Sequence, residues 1–150
     1  IAAESGLPHC LRLRGGMSRL FIVGDFRRFA TAQQFASYLG LVPRECSSGD
    51  KQQYTGITKA GNSHLRKLLV ETAQVFGRSA TKSGKSVALK ERQAKCDSLT
   101  VAYADKANAR LKKKYFKIAM RSKVNIAKTA VAREMACFIW GMMTDNISCA

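Results

Sequence analysis

The sequence predicts an all-α fold of four or five helices around the helix that carries Leu65 to Phe76, with a hydroxyl- and glycine-rich loop between two helices and a long basic helix beyond. Three observations carry that prediction. Leu65, Leu68, Leu69, Ala73 and Phe76 recur at helical spacing behind Asn62. Ala127, Ala130, Val131, Met135, Phe138, Ile139 and Met142 form a broad apolar face with Trp140 beside it. No stretch of any length alternates apolar and polar residues as a half-buried strand would. With 150 residues, 46% hydrophobic and 24% charged, the chain has the apolar surface to offset the ordering entropy of one domain.

The first 23 residues are the least regular. IAAESGLPHCLRLRGG has no clean period and starts mid-element at Ile1, so residues 1–23 read as a truncated or disrupted arm. Thr31 with Gln34 makes a capping box, Phe35, Tyr38 and Leu39 supply an apolar face, and Gly40 stands where a C-terminal cap belongs. This predicts a short helix over Ala32 to Leu39, stopped by Pro43. The hydroxyl loop follows, and Asn62 is a good N-cap for the next helix. Past Phe76, residues 77–89 open with the small, polar run GRSATKSGKS and read as a linker. Residues 90–143 return to the same domain as a basic helix and an apolar closing helix over about Ile126 to Met143, and 144–150 form a tail.

Charge is the most informative part of the composition. The 26 Lys and Arg against 10 Asp and Glu give +16, which opposes compaction and favours a polyanion. Between Lys90 and Lys128 twelve basic residues face only Glu91, Asp97 and Asp105. Ala104, Ala107, Leu111, Tyr115 and Ile118 share one helical face, while Lys106, Arg110, Lys113, Lys117 and Arg121 form a rail on another, at about 100° per residue. With Lys114 and Lys123 these are the candidate nucleic-acid contacts. A rail of this kind is often only a solvated face, but intrahelical Glu partners are nearly absent, so nothing along the helix neutralises it. A phosphate backbone would. An anionic membrane is the competing partner, yet no apolar run is long enough to span one and no signal peptide is evident. Cys10, Cys46, Cys96, Cys137 and Cys149 are odd in number and lack a Cys-x-x-Cys pair, which suits reduced thiols in a cytoplasm and argues against zinc.

The loop itself could carry chemistry. Ser47 and Ser48 precede Gly49, and Lys51, Lys59, His64, Arg66 and Lys67 follow within twenty residues. An alcohol attacking a phosphodiester needs an exposed hydroxyl, cations for the charge on the non-bridging oxygens and a proton donor for the leaving oxygen. Ser48 with Lys51, Lys59 and Arg66 offers the first two; Ser47 is the neighbouring candidate nucleophile, Cys46 a weaker one, and His64 a candidate acid or base. The plainer reading is an ordinary turn connecting two helices.

The run YLGLVPRECSSGDKQQYTGITKAGNSHLRKLLVE resembles the C-terminal signature of bacterial insertion-sequence transposases of the one-ten/one-sixteen/nine-oh-two group, relatives of the Piv DNA invertases, and TAVAREMACFIWGMM resembles their closing helix. The likeness covers Gly24 to Phe76 well, including GDFRRF, and Leu99 to Met143 more loosely. It implies a site-specific recombinase in which a Ser before Gly, here Ser48 and Gly49, becomes joined to DNA. Support comes from Ser47, Gly49, Lys51, Gly56, Thr58, Lys59, Gly61, Asn62 and Arg66. It also implies a RuvC-like acidic domain that binds Mg²⁺, absent from this sequence, together with a structured guide RNA, a homo-oligomer at full length and a bacterial cytoplasm. In this chain itself no cofactor or metal site is expected. Asp50, Gln52, Gln53 and Thr55 stand where such proteins commonly have Gly, Arg, Arg and Gly. A carboxylate beside the nucleophile repels phosphate, so nucleic-acid binding is expected to persist while strand exchange by this chain alone is weak or absent. The alternative is a non-catalytic basic helical module, the remnant of a decayed mobile element.

Overall fold

The computed structural model describes residues 23–45, 54–78 and 85–147. Among them are five α-helices: α1 (Ala32–Tyr38), α2 (Ser63–Arg78), α3 (Val87–Gln93), α4 (Ser98–Ala119) and α5 (Val124–Met143). The all-α expectation holds, with one small addition. Residues β1 (Pro43–Glu45) and β2 (Tyr54–Ile57) pair antiparallel, with Pro43 opposite Ile57, Arg44 opposite Thr55 and Glu45 opposite Tyr54, and a register shift after Pro43. The hydroxyl segment therefore joins two strands, not two helices. Strands of three and four residues are too short to print a period of two, and β1 is exposed along its length, so no buried face marks it. Pro43 opens an edge strand, where its missing N–H costs nothing.

Each helix end that the sequence marked is built as its residues dictate. The Thr31 hydroxyl accepts from the Gln34 N–H at 3.3 Å, and Gln34 Oε1 accepts from the Ala30 N–H at 2.9 Å. At the other end of α1, Gly40 (φ +67°) donates to the Ser37 carbonyl and Leu41 donates to that of Ala36, at 2.9 and 3.1 Å, which closes a Schellman turn. Asn62 Oδ1 accepts from the backbone N–H of both His64 and Leu65 at 3.1 Å, starting α2. Asp97 does the same for α4 through the Leu99 N–H. Helix α5 starts at Val124, two residues before the expected Ile126, and ends with Asp145 at φ +59° while the Asn146 N–H reaches the Gly141 carbonyl at 2.9 Å.

The hub of the core is α5, not the α2 helix the spacing pointed to. Helices α1, α2 and α4 all pack on α5. The reason is breadth: α2 buries one stripe, Leu65, Leu69, Ala73 and Phe76, whereas α5 is apolar nearly all round and buries Val131, Met135, Phe138, Ile139 and Met142 on several sides. The GDFRRF segment folds over the same core. Phe26 and Phe29 each lie 5.3 Å, centroid to centroid, from Phe35, and Trp140 Nε1 donates to the Phe29 carbonyl at 3.1 Å.

Two further expectations change. Gly77 and Arg78, assigned to a linker, are the last turn of α2, and α3 already begins at Val87; residues 79–84 lie outside the described residues. Gly77 is where α2 meets α4, since a Cβ there would come within 2.5 Å of Tyr115 Cζ. Among the described cysteines Cys137 is free but Cys96 is disulfide-bonded, which corrects the expectation of five reduced thiols.

Candidate nucleic-acid interface

The neck of the hairpin is where the signature residues converge. Beyond the β1–β2 pairing the two chains stay in register: Thr58 donates to the Val42 carbonyl at 2.9 Å, Lys59 to Gly40 at 3.2 Å and Asn62 to Tyr38 at 3.3 Å. Gly61 (φ +118°) lies so close to Tyr38 that a Cβ would come within 3.0 Å of its carbonyl carbon. Arg66 Nη1 donates to the Leu39 carbonyl at 3.0 Å, capping the end of α1. Gly61, Asn62 and Arg66 thus bind the end of α1 to the start of α2. Their place in the motif has a local structural cause, whatever else they touch.

Gly56 is exposed on β2, Thr58 is half-buried, and Lys59 is exposed with its backbone in the left-handed region at φ +55°. His64 is exposed on the first turn of α2, and Lys67 pairs with Glu71 at 3.9 Å across two exposed side chains. Cys46, Ser47, Ser48, Gly49 and Lys51 lie outside the described residues.

The basic rail on α4 exists, but it is not wholly unneutralised. Arg110 Nε lies 2.5 Å from one oxygen of Glu134, and Lys114 Nζ contacts the other. Both carboxylate oxygens are buried and neither contact has hydrogen-bond geometry, so the attraction is Coulombic. The counterion comes from α5, the neighbouring helix, which is why a count along α4 misses it. Glu134 is the sole carboxylate in α5, and an acid alone in an apolar helix was the signal available in the sequence. On the other flank, Asp105 contacts Lys85 and accepts from Gln93 Nε2 at 3.0 Å. Lys113, Lys117, Arg121 and Lys123 remain exposed and make no ion pair with a described residue.

Two concavities flank Lys114 and Arg133, which line both. One, of about 660 Å³, lies between α1, α4 and α5 and includes Gln33, Arg110, Glu134 and Cys137. Arg133 Nη2 donates across it to Gln33 Oε1 at 3.2 Å. Burial pushes the Cys137 thiol above its ordinary 9.0, with nearby Arg133 opposing the shift and Glu134 adding to it. The other, of about 530 Å³, lies between the hairpin and the first half of α5. Among the described residues no three of His, Cys, Asp and Glu gather as a metal site would require, and no helix is long and apolar enough to cross a membrane.

The sequence that builds this neck and the helix after it matches known sequences. Residues 18–88 match the model of the Transposase IS116/IS110/IS902 family. A Sinorhizobium fredii protein named as a transposase, y4qE, is 40% identical over 124 residues, which is 82% of this chain and 31% of that protein. The transposase for insertion sequence element IS1111A of Coxiella burnetii is 44% identical over 54 residues, 36% of this chain and 15% of its own length. That for element IS1328 of Yersinia enterocolitica is 41% identical over 54 residues, 36% of this chain and 16% of its own length. The chain spans under a third of the length of these relatives, and the stretch that matches the family model includes the hairpin, its neck and all of α2. No solved structure matches the chain.

Proposed function

We propose that this chain is the DNA-binding, nucleophile-bearing part of an insertion-sequence transposase. Ser48 Oγ attacks a DNA phosphodiester, forming a Ser–O–P bond as the bond to the leaving strand oxygen breaks; the Ser proton passes to a base and the leaving oxygen is protonated. The observation that supports this best is the family domain itself, which spans the 46–53 segment together with the hairpin that carries it. Pairing β1 with β2 holds the residues that flank that segment, Glu45 and Tyr54, opposite one another at the far end of the hairpin from its neck. The exposed rail of Lys113, Lys117, Arg121 and Lys123 supplies sequence-independent phosphate contacts. In the longer relatives' context, an acidic Mg²⁺-binding domain, a guide RNA and a second copy of the protein complete the reaction.

A second reading is favoured by Asp50, a carboxylate two residues from the proposed nucleophile. In it the chain binds nucleic acid without strand chemistry. Changing Ser48 to Ala separates the two. With an acidic domain supplied, the parent forms a protein–DNA adduct that survives denaturing electrophoresis, while the variant forms none and keeps its DNA affinity. An adduct that persists in Ser48→Ala overturns the assignment; no adduct with the parent supports the binding-only reading.

A further inference from the structure

We propose that the groove between the β1–β2 hairpin and the first half of α5 receives one unstacked nucleotide of the bound nucleic acid, with its base inside and its phosphate on the rim. This rests on the nucleic-acid reading above and deepens it. The groove's volume of about 530 Å³ falls within the range of roughly 300–1,000 Å³ that encloses a drug-sized ligand. Its floor is apolar: Leu41, Pro43 and Ile57 from the hairpin side, Ile126 and Ala130 from α5. Ile126 is 53% exposed there, an aliphatic side chain that this fold leaves uncovered.

The rim has the opposite character. Lys59 and Arg133 border the floor, Lys114 beside them is held by Glu134, and no carboxylate lines the groove among the described residues. Asn125 adds an amide with both donors and an acceptor, and Thr129, whose hydroxyl donates to the Asn125 carbonyl at 2.9 Å, keeps lone pairs to accept. An apolar slot with a few hydrogen-bonding groups and a cationic edge is complementary to a base and its phosphate. Within a duplex that base is unavailable, because its faces are stacked and its edge is paired. An extrahelical or single-stranded nucleotide meets the site without that cost.

The test compares the 150-residue chain on two labelled duplexes, one fully paired and one with a single unpaired 2-aminopurine. The bulged duplex binds about tenfold tighter, with the fluorescence of the probe base changing on binding. Ala130→Phe, which fills the floor, and Ile126→Gln, at an exposed position that folding does not need, each remove that preference and leave fully paired affinity unchanged. Equal affinity for the two duplexes overturns the groove assignment and leaves DNA binding standing. Failure to bind either duplex overturns both. A preference that survives in both variants also overturns it, and assigns the groove to another occupant such as an apolar protein segment.

Discussion

Replacing Glu134 with Gln separates the two roles of charge in this fold, because stability and DNA affinity move in opposite directions. Glu134 is 9% exposed and holds Arg110 and Lys114 by Coulombic contact alone. One such contact at about 2.5 Å is worth roughly 2 kcal/mol at the dielectric of water and about 7 at a surface value near 20. Most of that gain is offset by desolvating the carboxylate, a penalty of several kcal/mol. The two cations are partly solvated, their side chains being 62% and 40% exposed, so they rehydrate once released. The expected net loss is therefore about 1–2 kcal/mol, well below the roughly 3–5 kcal/mol for breaking a fully buried pair. In urea titration followed by circular dichroism this lowers the midpoint by about 0.5–1 M at an unchanged slope. Arg110 and Lys114 become available to phosphate, so duplex affinity rises and the log–log salt slope steepens by up to about 2. A variant as stable as the parent, or one that binds DNA less tightly, would refute the claim that Glu134 is the counterion of the rail.

Reversing Lys113 and Lys117 to Glu lowers affinity for every duplex sequence alike and makes the salt slope shallower by about 2, measured by fluorescence anisotropy across a salt series. A loss confined to one sequence would mean that α4 reads bases. Gly40→Ala forces a side chain into the left-handed region and against the Ala60 carbonyl and Arg66 Nη1, the latter 2.8 Å from the new Cβ; thermal melting should register a loss of about 2–3 kcal/mol, and a neutral result would sink the account of the neck. Because burial raises the Cys137 thiol, its contribution to stability is complete below pH 9.0 and declines as pH climbs from there through the folded-state value. Against Cys137→Ala the parent should lose stability only in that alkaline window, and its Cys137 peptide should alkylate slowly near neutrality, as read by mass spectrometry. Asp145→Gly, at φ +59° after α5, should gain about 0.5–1 kcal/mol in the same melts.

The caps were legible because each is made by residues a few positions apart. Thr31 with Gln34, Gly40, and Asn62 work through backbone groups of their own helix ends, so spacing alone names them. The apolar faces of α2, α4 and α5 were legible for the same reason, since a period of 3.6 records which side is buried. The hairpin was not, because β1 and β2 are too short, and β1 too exposed, to leave a period.

Net charge and the signature run are properties of the chain as written, and the signature run was enough to indicate the transposase-family likeness that residues 18–88 show. The choice of α5 as hub, the spending of Arg66 on the Leu39 carbonyl and the pairing of Glu134 with Arg110 and Lys114 were decided only by tertiary structure. The side-chain contacts among these join residues 20 or more positions apart. A contact of that length depends on how helices pack against one another, and no local periodicity encodes the packing.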